Sequence, residues 1–502
     1  MATGTGTDAE RPQAAVERLR EHVAPLTDLG RVIQLLSFDQ DTAMPPAGNA
    51  SRGRQTATLS GLVHEGMSSP VLAELLEEAA GQELAGDDAA LVRVVRRDAE
   101  KARRVPNELV QAMAVASSDG QEAWAAAREA DDFPSFLPFL ENNLALAREY
   151  AACFDVYEPY DALLDDHEPG MLAGEVREAF APLRAELPAL VAAAAEHSPG
   201  QPTGPFDLDA QHRAVDLLLK RIGFDEESWV LAVSAHPFSA TPGRGDNRIT
   251  TRFAEDSLES LLSCLHEFGH GLYEAQIDPA LDRTPLGHGV SMAVHESQSR
   301  LWEIFVGMGL PFWRGVWPEF CEAFGGAPQG MTVEEFVAAI NTVAPTLIRV
   351  DSDPVSYPLH IILRFDLELA MVAGDLAPAD LPAAWRDGMR DLLGVVPPDD
   401  RRGVLQDIHW AVGSFGYFPT YALGTVLAAQ LWDVAQHEVV GLDDRIEAGD
   451  LGVLRDWLAE KVHRHGCRMT PSELIVSATG RPLDAGPYLA YARGRAEGAA
   501  AG

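Results

Sequence analysis

Residues 255–276 read EDSLESLLSCLHEFGHGLYEAQ. Apolar residues recur there at the three- and four-residue spacing of a helix, after an opening Glu255-Asp256-Ser257 that suits a helix start. Within it stands His266-Glu267-Phe268-Gly269-His270. Residues four apart share one helix face, so both imidazoles can bind one zinc ion. Glu267 beside them can take a proton from metal-bound water. Such a site needs a third protein ligand and an open position. The downstream candidates are Glu274, Asp278, Asp282, His288, His295, Glu296 and Glu303. Glu274 shares the stripe of the two histidines, and one stripe cannot wrap three ligands around a tetrahedral ion, so it is expected at the surface or behind the ligands. The metzincin spacing fails, because Tyr273 and Gln276 stand where it needs Gly and His. The segment 295–303, HESQSRLWE, reads as a second helix with polar groups facing inward, and Glu296 is the best third ligand on a neighbouring helix.

Outward from this helix the chain continues in the same period. Helices are expected over 12–36, 70–103, 107–130 after a turn near Pro106, 171–196 and 207–222. Strand signals are few: β-branched alternation at 248–253, with 230–233 as a partner. The Gly/Pro-rich breaks at 198–205, 240–246 and 324–331 read as loops inside one body. The expectation is a single domain over 1–502, mainly α-helical with a small β-sheet near the site, and frayed tails at 1–11 and 494–502.

Composition narrows the function. The 39 Lys+Arg against 76 Asp+Glu give a net charge of −37, which excludes a non-specific nucleic-acid binder and argues against anionic membrane surfaces. With 46% hydrophobic and 23% charged residues, the bulk is globular rather than disordered. No apolar run approaches the ~18 residues of a membrane span. The opening MATGTGTDAERPQ has no secretory pattern, and Cys153, Cys264, Cys321 and Cys467 are too scattered for a redox or Cys-type zinc motif. A cytoplasmic protein is expected.

Further segments carry chemistry. Asp246-Asn247-Arg248 places an ion pair before the strand. Arg349 lies among acids in IRVDSD at 348–353, and an Arg in a dry cleft binds a carboxylate bidentately. GVLQDIHW at 403–410 and GSFGYFPTY at 413–421 gather Asp407, His409 and Tyr417 in a loop rich in Gly and aromatics. HPF at 236–238 reads as a turn.

Together these segments resemble the carboxypeptidase Taq family of zinc metallocarboxypeptidases. The motifs HPF, DNRIT (246–250), HEFGH, HESQ, IRVDSD and GVLQDIHW appear in the family's order. FDQDTAMPP at 38–46 is similar to its N-terminal segment, with Phe38 where Trp is expected. LLDDHEPG (163–170) and YPLHIILRFDLE (357–368) are family-like too. The resemblance implies a helical gluzincin with a deep cleft, acting as a homodimer. It implies release of C-terminal amino acids from peptides with broad specificity, by attack of zinc-bound water. His266, His270 and Glu296 become metal ligands, Glu267 the general base and Arg349 a grip for the terminal carboxylate. His236, Arg248, His409 and Tyr417 become cleft-lining, substrate-binding groups, with Tyr417 or His409 as oxyanion donor. Zinc is the default metal, and cobalt serves some members. A locally basic pocket around the metal, Arg349 and Arg248 is expected inside the acidic body. An oligoendopeptidase or dipeptidyl carboxypeptidase is the rival within the zinc peptidases, and a catalytically dead helical binding protein the rival outside them.

Overall fold

A computed structural model of the protein describes residues 10–498. Helices follow one another along the chain, with one small sheet between Trp229 and Thr251. The reading 12–36 falls within the helix Glu10–Thr42. Of the tails expected to fray, 1–9 and 499–502 lie outside the described residues. Residues 10–11 open that first helix, and 494–496 close the last one, Gly486–Ala496.

The stretch 70–103 is two helices, Pro70–Ala80 and Gly86–Arg104. Gly81 ends the first, and Gly86 at φ +57 turns the chain into the second. Asn107–Ala130 then follows Pro106 as expected. Asp207 opens Leu208–Ile222 by accepting the Ala210 N–H at 2.7 Å, and Gly223 at φ +104 ends it.

The sheet has three strands, β1 (Trp229–Val233), β2 (Ser239–Gly243) and β3 (Asp246–Thr251), in the order β1-β3-β2. β3 runs parallel to β1, with Val230 opposite Arg248, and antiparallel to β2, with Ala240 opposite Arg248. β2 corrects the expectation of a loop over 240–246. Thr241-Pro242-Gly243 carries turn chemistry, yet it lies on an edge strand, where the missing proline N–H removes no obligatory ladder bond. The sheet backs the HEFGH helix: the Trp229 ring stacks on Phe268 at 5.0 Å, and Ile249 is fully buried.

The HEFGH helix spans Glu259–Ala275. It starts later than its sequence suggests because Ser257 Oγ accepts the Glu259 N–H at 3.0 Å, inside a turn closed by an Ala254–Ser257 bridge. The HESQ helix spans Met292–Arg300, capped by Ser291 on the Val294 N–H at 3.2 Å. It passes into a π-helical turn, Leu301–Val306.

Two apolar cores share the helix Pro419–Glu438. Leu427, Ala428 and Leu431 face the core built on the HEFGH helix. Ala422, Leu423, Val426 and Ala429 face the core built on the helix Tyr357–Ala373. The HESQ helix divides likewise, with Val294 on one side and Ala293 on the other. Glu296 therefore sits at the seam between the cores. Among the described residues no helix is long and apolar enough to cross a membrane.

Candidate metal centre and its cleft

Two glycines let three helices meet at Glu296. A Cβ on Gly269 would stand 2.5 Å from the Gln298 carbonyl oxygen and 2.7 Å from Ser299 Cα, so only glycine admits the HESQ helix this close to the HEFGH helix. A Cβ on Gly424 would stand 2.6 Å from Glu296 Cβ, so the helix Pro419–Glu438 also closes on that residue.

The result is a convergent donor group. Nitrogen atoms of His266 and His270 and a carboxylate oxygen of Glu296 all lie within 4.8 Å of one another. Glu296 Oε2 is 3.4 Å from His270 Nε2 and 3.7 Å from His266 Nε2. Donors around a tetrahedral ion with bonds of ~2.0–2.1 Å stand about 3.4 Å apart. Two imidazoles and a carboxylate at these separations fit a divalent transition metal.

Each ligand-type residue is held from behind. His266 Nδ1 lies 2.8 Å from Glu303 Oε2. His270 Nδ1 lies 2.6 Å from His295 Nδ1, and His295 Nε2 lies 3.1 Å from Glu274 Oε1. Arg300 donates to Glu296 Oε1 at 2.7 Å and to Glu303 at 3.1 Å, with its guanidinium 4.5 Å from the Tyr357 ring centre. Burial alone would raise the Glu296 carboxyl, but Arg300 and His266 overcome it and hold it well below the carboxylate range. Glu267 is 6% exposed, and burial pushes its carboxyl up to about 7, helped by the negative charges of Glu296 and Glu303. Burial likewise pulls His270 down to about 4, which keeps its ring neutral.

Arg349 is 7% exposed. Its Nε donates to Asp407 at 2.9 Å and its Nη1 to the Tyr357 hydroxyl at 2.8 Å, while Nη2 has no protein partner among the described residues. Asp407 also binds Arg364, with Arg364 Nη2 2.6 Å away. His409 Nε2 lies 3.1 Å from the Tyr421 hydroxyl. Burial first, and Arg349 after it, pull His409 down to about 3, so its ring is neutral. Burial first, and the charge of Glu296 after it, raise the Tyr417 phenol, which hydrogen-bonds with Tyr421. The Tyr417 ring lies 5.2 Å from the Tyr421 ring and 5.6 Å from the His409 ring.

Arg248 and His236 are less engaged with the donor group. Arg248 grips Asp246 of its own strand with two bonds of 2.7 and 2.9 Å and lies 5.2 Å from the Phe38 ring centre. The His236 ring is exposed and makes no hydrogen bond or ring contact among the described residues, though its carbonyl accepts from Ser234. The locally basic pocket expected from the sequence is corrected here. Arg248, Arg300 and Arg349 each face an acid, so their charge is offset where it arises.

Several site residues escape sequence reading. Arg300 is one, four residues past Glu296 and three before Glu303. Glu368 is another. It accepts from Tyr160 (2.6 Å), Trp410 (2.7 Å) and the Gly416 N–H (3.1 Å), tying the loop that carries His409 and Tyr417 to the helix Tyr357–Ala373. Glu168 is a third. It is 1% exposed and accepts the Ala293 N–H at the start of the HESQ helix. Burial pushes its carboxyl up to about 8. The folded chain then keeps a proton that the unfolded chain releases near its ordinary 4.5, so this group lowers stability progressively as pH rises from about 4.5 to about 8. Glu168→Gln removes that slope. Its stability relative to the parent should improve between pH 5.5 and pH 8.5 in urea denaturation, and a pH-independent difference would refute the assignment.

The fold and this donor set fit the class of HExxH metallopeptidases, with a His-His-Glu group that could hold a metal ion. The family model described as carboxypeptidase Taq (M32) metallopeptidase matches residues 18–496, and the chain belongs to that family. It is a metal-dependent carboxypeptidase, a peptide hydrolase acting at C-terminal ends. Thermostable carboxypeptidase 1 of Thermus thermophilus is 40% identical over 96% of this chain and 98% of that protein. Carboxypeptidase 1 of Bacillus subtilis is 34% identical, covering 91% of this chain and 93% of that protein. The crystal structure of the M32 carboxypeptidase from Deinococcus radiodurans R1 superposes with a TM-score of 0.93 at 39% identity, over 97% of this chain and 99% of that one.

Proposed function

We propose that the chain is a zinc carboxypeptidase in which His266, His270 and Glu296 hold the metal and Glu267 is the general base. The observation that carries this reading is the convergence of three donors at metal-ligand separations beside the buried Glu267 carboxyl, which has no hydrogen-bond partner among the described residues. Imidazole and carboxylate suit zinc, with cobalt as the alternative. A divalent ion there supplies Lewis acidity that acidifies water and polarises the scissile carbonyl. Glu267 accepts a proton from the attacking water on its carboxylate and returns it to the leaving amine, and a carboxyl near neutrality serves both transfers. Tyr417 or His409 donates to the developing oxyanion, their rings lying 5.6 Å apart.

Arg349 anchors the terminal carboxylate of the peptide through its free Nη2 edge, with Asp407 and Tyr357 fixing the other two nitrogens. His409 orders Tyr421, whose ring lies 5.0 Å from the Arg349 guanidinium. His236 and Arg248, on the sheet side, contact the substrate further from its carboxyl end. Broad residue specificity, a single-domain subunit and a homodimer belong to the same reading, supported by family membership. Four unpaired cysteines suit a reducing, cytoplasmic location.

Incubating a peptide pool with its C-terminally amidated twin, with and without chelator, tests this by mass spectrometry. The free acids should lose single residues in sequence, the amides should stay intact, and chelator should stop the reaction. Equal cleavage of acid and amide would overturn the Arg349 anchor and favour an endopeptidase.

A further inference from the structure

We propose that His295 is a positioning residue for the metal centre, reaching it through His270 in a relay that ends on Glu274. This deepens the proposed metal site and rests on it. The direction of the relay follows from proton counting. His270 turns Nε2 toward Glu296, so that nitrogen must keep its lone pair to serve as a ligand. Its proton is then on Nδ1, whose partner is His295 Nδ1 at 2.6 Å. His295 Nδ1 must therefore accept, which places the His295 proton on Nε2. That nitrogen faces Glu274 Oε1 at 3.1 Å, and the same oxygen accepts the Gly289 N–H at 2.8 Å. Every donor along the line has an acceptor, and only one arrangement of protons satisfies it.

The same counting removes His295 from the list of candidate ligands. Both His295 nitrogens are committed, one to His270 and one to Glu274. The tilted packing of the His295 ring on Tyr273 (5.2 Å) and on His270 (4.8 Å) holds its orientation. The centre is therefore asymmetric. His266 is backed directly by the carboxylate of Glu303 at 2.8 Å, whereas His270 is backed by a neutral imidazole that passes the carboxylate's influence on from Glu274. Neither His295 nor Glu274 touches the reacting atoms. They set the tautomer and aim of His270, and their loss registers first in metal affinity.

The test is zinc affinity, measured by competition with a chromophoric chelator on the full chain, for the parent, His295→Ala and His295→Asn. Loss of a partner behind a ligand histidine weakens metal binding by about 10–100-fold, and His295→Ala is expected in that range. In His295→Asn the amide oxygen falls near the Nδ1 position and still accepts from His270, so most of the affinity should return. A parent chain that binds no zinc would sink the underlying metal-site reading. A tight-binding parent with an unchanged His295→Ala would sink this inference alone. Equal weakening in the Ala and Asn variants would also overturn it, because packing rather than the hydrogen bond would then be at work. Thermal melting of the metal-free variants identifies any that fail to fold, and for such a variant Glu274→Leu replaces it, with the same weakening expected and parental affinity counting against the relay.

Discussion

Glu267→Gln is expected to lower kcat on a free-acid peptide by about 10²–10⁴-fold, the usual contribution of a positioned acid–base group. Zinc content should be unchanged. The two outcomes separate because Glu267 is not among the converging donors, which are His266, His270 and Glu296. The substitution keeps size and shape at a position only 6% exposed, so the fold should persist. What is lost is the capacity to hold a proton between its removal from water and its delivery to the amine. An amide cannot do this at any accessible pH, so raising the pH should not restore the rate. Parental kcat in the variant would remove Glu267 from the mechanism, and loss of zinc would make it a structural member of the centre instead.

Asp407→Asn should be strongly destabilising. Asp407 is the shared counter-charge of two buried guanidinium groups, Arg349 at 2.9 Å and Arg364 at 2.6 Å, and Arg364 is fully buried. Burial would by itself raise the Asp407 carboxyl, and the two cations hold it well below its ordinary range instead. Removing one partner of a buried ion pair leaves charge uncompensated and costs about 3–5 kcal/mol. Here one substitution strands two cations, so the upper part of that range is expected from denaturant unfolding. Asparagine keeps one acceptor oxygen where two guanidinium groups bind, so the hold on the Arg349 Nε edge weakens and KM for free-acid peptides should rise in whatever folded enzyme remains. Parental stability would show that water, rather than Asp407, compensates the two arginines.

How far the sequence reaches depends on the range of the interaction. The HEFGH helix was legible because two imidazoles four residues apart need only helix geometry to share a face. Glu296 on a second helix was legible as a candidate, since HESQSRLWE carries its polar groups beside an apolar run. That Gly269 and Gly424 are what let the helices close on Glu296 is invisible locally: it depends on Gln298, Ser299 and Glu296 arriving from elsewhere. The π turn at Leu301–Val306 has no local signature either. β2 was hidden because Thr241-Pro242-Gly243 speaks for a turn, and only pairing with β3 makes it a strand. Arg349 stands out in the sequence for its setting among acids, yet its actual partner, Asp407, lies 58 residues along the chain in another loop. Glu274 is expected at the surface or behind the ligands, and it lies half-buried behind His295. Local periodicity thus finds elements and motif residues. Partners contributed by distant segments need the fold.

The most direct test of the metal centre is a crystal structure with diffraction recorded on both sides of the zinc absorption edge. One strong anomalous peak is predicted per chain, within bonding distance of His266 Nε2, His270 Nε2 and a Glu296 carboxylate oxygen, with Glu267 beside it and outside bonding distance. A peak coordinated by any other residues, or none at all in crystals of active enzyme, would contradict it.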